Sequence, residues 1–569
     1  MNQDFNQNIF NQDIEGAGVL AAQGQPALFR TAALDEAHIG DIKGAFGTIR
    51  HGDYAPRLGW RARITTLLAV LGPGLIVMVG DNDAGAFSTY AQAGQNYGTT
   101  LLWTLMLLIP VLYVNQEMVL RLGAVSGVGH ARLILERFGK FWGAFSVIDL
   151  FLLNALTIVT EFIGISLAFQ YLGLPTNVGV LGAALLVMLA VSTGDFRRFE
   201  RFAVLLVFGS LLLVPLLLLV HPPVGQLARD FFVPQLPATG ELSDVMLLII
   251  GIVGTTVAPW QLFFQQSYVV DKRITPRFIK YERLDLWIGI VCVIIGAIAI
   301  LGAVAAVFAG RPEAGNFTDA AAVAAGFEKY AGKLPAILFT LALIDACIIG
   351  ASAVSLSTAY ALGDIMSLRH SLHRKVRDAK GFYSVYFGLV LLSAVLVLTP
   401  GTPLGLLTNA VQALAGVLLP SATVFLLLLC NDRDVLGPWV NSRALNLFTG
   451  GVIAVLVLLS LILTLSVLFT DISEAEIVGI LIGGGILALA LAVVGVRLAE
   501  PAAARTWDGA SGQELKHARA TWRMPPLEEL PPARLTPLSR AWLVVLRGYL
   551  VIAAGLVLVR IVQLSIAGA

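Results

Sequence analysis

Charge is what this sequence has least of. Of 569 residues only 13% are Asp, Glu, Lys or Arg, where a soluble domain carries about 25%. With 57% hydrophobic residues and a mean hydropathy of +0.81, the chain cannot clothe a water-facing globule. A soluble domain and a disordered chain are both excluded. Cysteine is scarce too. Cys292, Cys347 and Cys430 each lie in an apolar run without metal-type spacing, which excludes a disulfide scaffold and reads as packing. Neither sign of charge is in excess, 38 Lys and Arg standing against 37 Asp and Glu, so no basic field invites nucleic acid. No nucleophile–base constellation or phosphate loop appears, so the reading is not an enzyme, and it calls for no cofactor. The first 60 residues have no apolar core followed by a cleavage site and are not a signal peptide. What remains is an all-α polytopic membrane protein whose first partner is the lipid bilayer.

A helix that crosses the hydrocarbon core needs about 20 apolar residues. Thirteen segments qualify: 64–93, 100–122, 142–172, 177–194, 202–221, 243–268, 285–309, 335–363, 383–399, 404–430, 444–470, 475–497 and 541–564. The period-2 alternation of barrel strands is absent. With the N-terminus in the cytoplasm, 33 Lys and Arg fall inside, and only Arg229, Arg311, Lys329, Lys333 and Arg560 fall outside. That bias fixes the orientation and suggests a multi-pass protein of the cell (inner) membrane. The chain divides into a cytoplasmic extension (1–60), with an amphipathic helix expected near Ala27–Ile49, and two sets of five spans (61–222 and 240–431). Spans 11–12 (440–498), a Pro-rich cytoplasmic linker (499–540) and a final span (541–564) follow.

Polar or helix-breaking residues at hydrocarbon depth mark function. Span 1 reads Gly72-Pro73-Gly74 and then Gly80-Asp81-Asn82-Asp83-Ala84-Gly85. Two carboxylates and an amide in three residues do not fit a continuous helix facing lipid. In span 6, Thr255-Thr256-Val257-Ala258-Pro259-Trp260 places a proline where it removes a backbone donor and frees carbonyls around Thr255. Spans 1 and 6 are five crossings apart, so the two five-helix halves are inverted relative to each other. Paired interruptions in inverted halves point to a transporter's midplane site. In span 10, Asn409 and Gln412 share a helical face two turns before Pro420. They either face that site or make an interhelical hydrogen bond.

Over roughly residues 60–470 the sequence resembles the natural-resistance-associated macrophage protein (Nramp) family of divalent-metal transporters. The resemblance rests on Gly72-Pro73-Gly74-Leu75-Ile76, Asp83-Ala84-Gly85, Gln116-Glu117-Met118, Glu161-Phe162-Ile163-Gly164, Thr256-Val257-Ala258-Pro259 and Asn431-Asp432-Arg433. It implies the LeuT-type fold of two inverted five-helix repeats, here with additional C-terminal transmembrane helices. Three departures stand out. The family's Asp-Pro-Gly-Asn becomes Asp83-Ala84-Gly85-Ala86, its Met-Pro-His becomes Ala258-Pro259-Trp260, and its span 3 acidic pair becomes Ile158 and Glu161.

Thioether sulfur favours soft ions, whereas carboxylate, carbonyl and water favour magnesium, calcium and manganese. Losing the methionine therefore resembles the Nramp-related magnesium transporter branch, which carries a partly hydrated ion. The resemblance implies a metal set of Asp83 as central anion with Asp81, Asn82, the carbonyls of Gly80 and Thr255, and Gln412. Ala258, Asn409, Trp260 and Glu161 stand further out, Trp260 as cavity wall and Glu161 as a functional acid or as a hydrogen-bond partner of the span 6 break. The expected function is divalent-cation uptake by alternating access, with magnesium as the ion and manganese as the second candidate. Loss of the span 6 His and the span 3 Asp removes groups from the usual proton route. The expectation is therefore uptake without a proton; the alternative is a conventional proton-coupled manganese or iron transporter.

Overall fold

A computed structural model describes residues 34–53, 55–238, 240–401, 404–468, 473–498 and 512–531, with isolated positions beyond. A two-stranded hairpin, β1 (Ile42–Gly44) and β2 (Gly47–Ile49), precedes the helices. The amphipathic helix expected there is therefore corrected over its described part: residues 36–49 form a short 3-10 turn and this hairpin. Gly44 and Gly47 let the hairpin press on the first helix, where a Cβ at either would run into Ala69.

Span 1 is three helices: α1 (Trp60–Val70), α2 (Pro73–Val79) and α3 (Ala84–Tyr97). Between α1 and α2 the chain bends by 53° at Gly72, whose φ of +153° disfavours a side chain. The following helices are α4 (Trp103–Ser126), α5 (His130–Phe138), α6 (Lys140–Tyr171), α7 (Thr176–Val191), α8 (Phe196–Gly209), α9 (Leu213–Leu219) and α10 (Val224–Phe232). Span 6 is again interrupted, as α11 (Leu242–Thr256) and α12 (Pro259–Asp271). The chain continues through α13 (Ile279–Phe308), α14 (Ala320–Ala331), α15 (Lys333–Ile365), α16 (Lys380–Leu398) and α17 (Leu404–Cys430). Short α18 (Arg433–Leu436), α19 (Arg443–Leu468), α20 (Glu474–Leu498) and α21 (Gly512–Thr521) complete the described chain.

Among the described residues eight helices are long and apolar enough to cross a membrane, and the bent pair α1–α2 makes a ninth candidate. Expected span 4 is a shorter apolar helix of 16 residues. Most of expected span 13 lies outside the described residues. α21 forms within the expected Pro-rich linker and packs its end on the α17–α19 connection, where Trp522 Nε1 donates to the Val435 carbonyl at 3.2 Å. Glu117 pairs with Arg121 and Arg283 at the hairpin-side end of α4, a structural clamp as its i, i+4 spacing suggests.

Candidate functional site

Both interruptions meet in the centre of the helix bundle. In a continuous helix the Ala84 amide would close on the Gly80 carbonyl; here it donates to Glu161 Oε2 of α6 at 3.2 Å. The Gly80 carbonyl thus loses its helical partner. Asp83 adopts extended backbone and caps α3, its Oδ1 accepting from the Ala86 amide at 2.9 Å. The Glu161 carboxyl, its Oε1 unpartnered, thus stands beside Asp83 at the break. In span 6, Pro259 opens α12 as its first residue. Lacking an N–H, it leaves the Thr255 carbonyl four residues back without a helical donor.

Asp81 is fully buried. Its Oδ1 accepts from Gln261 Nε2, while its Oδ2 has no partner. Gln261 also reaches the Thr256 carbonyl at 3.3 Å and accepts from Gln116 Nε2 at 2.9 Å, so one amide ties the two interruptions together. Asn82 is anchored on α13, donating to the Val293 carbonyl at 3.1 Å, with Oδ1 unpartnered. Tyr90 and Thr256 hydroxyls meet at 2.7 Å across the same gap. Ala258 is half-buried at the head of α12 in extended backbone. Trp260 is buried beneath the span 1 break: a Cβ at Gly80 would lie 3.7 Å from its ring. The side chains of Asn409 and Gln412 lie outside the described residues.

A cavity of about 1040 Å³ opens above the breaks, on the face opposite the hairpin. Ala84, Thr160 and Gly164 line its depth; Gln92, Asn96, Asp244 and Asp319 line it further up. Below the breaks, Trp260 and the Gln116–Gln261–Asp81 chain close the way to the hairpin face. Among the described residues no three His, Cys, Asp or Glu side chains converge to hold an ion unaided. An ion here would draw on backbone carbonyls, amides and its own water.

Three participants escaped the sequence reading. Gln261 and Gln116 are 145 residues apart, although a glutamine one residue past a membrane-buried Pro-Trp is itself a polar signal. Cys347, expected to be packing, sets its thiol against Glu161 and beside Gly164. Glu161 itself serves the span 1 break, through Ala84, rather than the span 6 break.

Residues 74–466 match the family described as natural resistance-associated macrophage protein-like. The divalent metal cation transporter MntH of Burkholderia ambifaria is 26% identical over 421 residues, 70% of this chain and 89% of the relative. MntH of Deinococcus radiodurans is 28% identical over 418 residues, 69% and 89% respectively. A crystal structure of the Eremococcus coleocola manganese transporter, in complex with an aromatic bis-isothiourea substituted compound, has the same fold. Its TM-score is 0.60 at 20% identity, covering 78% of this chain and 97% of that one.

Proposed function

Because the chain belongs to the natural-resistance-associated macrophage protein-like family, we propose that it carries a divalent metal cation across a membrane and that the ion is magnesium. The observation that carries the choice of ion is the head of α12. Ala258 and Trp260 flank Pro259, so the break offers the ion neither thioether nor imidazole, and the Thr255 carbonyl is left without a helical donor. Oxygen donors suit hard ions. Magnesium dehydrates reluctantly and keeps several waters. An octahedral shell of about six waters at about 30 Å³ each needs roughly 180 Å³, which the cavity above the site accommodates several times over.

The two breaks support alternating access. The ion enters from the open cavity to Asp83, and the halves α1–α2 and α12 then part on the hairpin face, which is the cytoplasmic one on this reading. An inside-negative potential supplies about 2.3 kcal/mol per charge per 100 mV, roughly twice that for a dication. Import then needs no proton.

The second reading, a proton-coupled manganese or iron carrier, is favoured by a second buried acid, Glu161, with one oxygen unpartnered beside the site. It is favoured also by the names of the relatives. Uptake into proteoliposomes loaded with an internal pH dye separates the two. The magnesium reading expects Mg2+ uptake that follows the membrane potential, leaves internal pH steady and is lost in Asp83→Ala. Micromolar Mn2+ outcompeting millimolar Mg2+, with acidification inside, overturns it in favour of the second.

A further inference from the structure

One face of α12 carries more polar groups than the ion site uses. Gln261, Gln265, Tyr268 and Lys272 follow at i, i+4, i+7 and i+11, which stacks them on one face, and all four are fully buried. At about 1.5 Å per residue the stripe runs about 16 Å. That is roughly half of a hydrocarbon core of about 30 Å, the distance from a midplane site to the hairpin face. Its upper end is the Gln261 bond to Asp81.

At its lower end Lys272 Nζ donates to Glu200 Oε1 of α8 at 2.5 Å and to the Leu71 carbonyl at 2.8 Å, immediately before the Gly72 bend. Two more carboxylates stand there on the first turns of α13. Asp285 accepts from the amides of Gly72 and Gly74 at 3.1 and 2.7 Å. Glu282, fully buried, has no partner for either oxygen. Three buried carboxylates thus gather about one ammonium, Glu200 Oε2 accepting in addition from the Ala45 amide of the hairpin turn. Along the stripe, both amide atoms of Gln265 and the Tyr268 hydroxyl are buried without a partner as well. Buried polar atoms without partners are rare and costly. A row of them, ending at the unpartnered Glu282 carboxylate in a cluster of three acids with one ammonium, marks a place suited to a cation and its water.

We propose that Glu200, Glu282 and Asp285 form a second cation station at the end of the polar face of α12, filled in this conformation by the protein's own Lys272 and taken by the hydrated dication when α1 hinges away. The station rests on the reading of this chain as a divalent-cation carrier. The three carboxylates do not converge for direct coordination, so the ion is held there through its waters. Hinging at Gly72 draws the Leu71 carbonyl off Lys272, which frees the ammonium to leave. Gln265 and Tyr268 solvate the ion between the two stations. A tethered ammonium keeps the exit closed and offsets the acids' charge when no ion is passing.

The test counts ions and measures flux on the reconstituted full chain. Lys272→Gln removes the ammonium and keeps a polar side chain. By Mn2+ electron paramagnetic resonance it gains a second bound ion, which Lys272→Gln with Glu282→Gln loses. Gln265→Leu is read by flux: binding at the upper site stays within about twofold while Mg2+ uptake slows at least about tenfold, and Gln265→Asn restores it. No added ion in Lys272→Gln, or undiminished uptake in Gln265→Leu, overturns the proposal. If Lys272→Gln does not fold, Gln265→Leu decides alone. A wild-type protein that moves Mn2+ but not Mg2+ fails the magnesium reading only; the station is then tested with Mn2+ flux.

Discussion

Replacing Asp83 by asparagine separates the two things that this side chain does. Its Oδ1 caps α3 on the Ala86 amide, and asparagine caps as well as aspartate does, whereas alanine costs about 1 kcal/mol. Its charge is what an ion would feel. Two charges about 4 Å apart interact by about 4 kcal/mol at an effective dielectric of about 20, so a dication gains about 8 kcal/mol before dehydration is subtracted. If a third of that survives, about 2.7 kcal/mol, binding weakens about a hundredfold on losing the charge. Titration calorimetry with Mg2+ and a thermal melt of the purified protein read both effects. Asp83→Asn is expected to melt with the wild type and bind at least about a hundredfold more weakly. Asp83→Ala loses the same affinity and is also less stable. An Asp83→Asn protein that binds within about threefold of wild type refutes the reasoning.

Ala258→Met places a thioether at the head of α12 and is expected to raise Mn2+ or Cd2+ affinity about tenfold over Mg2+, measured by competition in uptake; unchanged selectivity counts against the ion assignment. Gly72→Ala forces a side chain onto a φ of +153° and brings its Cβ against the Glu200 carboxylate and within 3.0 Å of Lys272 Nζ. The cost is about 1–3 kcal/mol, seen as a lowered melting midpoint, and an unchanged midpoint removes the strained hinge. At Asp35, burial raises the carboxyl's pKa, but hydrogen bonds from Arg374 and the Ala37 amide outweigh it and hold it at about 2. A depressed carboxyl pKa stabilises above its unfolded value and loses that contribution as pH falls through about 2. Hairpin anchoring by Asp35 therefore holds at neutral pH and fades between about pH 4 and 2. Asp35→Asn loosens the hairpin at pH 7, read as faster hydrogen exchange over Ile42–Ile49.

The two interruptions were legible because their causes are local. Glycines around Asp81–Asp83 and a proline at 259 act within a turn, and helices stop at Val79 and Thr256 as those residues require. Long-range partners were not legible: Glu161 meets Ala84 across 77 residues and Gln261 meets Asp81 across 180, and no periodicity encodes such contacts. The N-terminal segment was misread as a helix because its apolar residues were weighed by helical spacing. Gly44 and Gly47 bracketing a two-residue turn, with β-branched Thr48 and Ile49 beyond, were the signal for a hairpin. Cys347 was read from its apolar neighbours in sequence, whereas its thiol faces the Glu161 carboxyl of another helix.

The claim on which the rest depends is that a dication sits between the two interruptions. Locating Mn2+ by anomalous scattering in crystals of the loaded protein tests it directly. The expected peak is bounded by the Asp83 carboxylate and the freed Gly80 and Thr255 carbonyls. A peak elsewhere, with no density between the breaks, would contradict it.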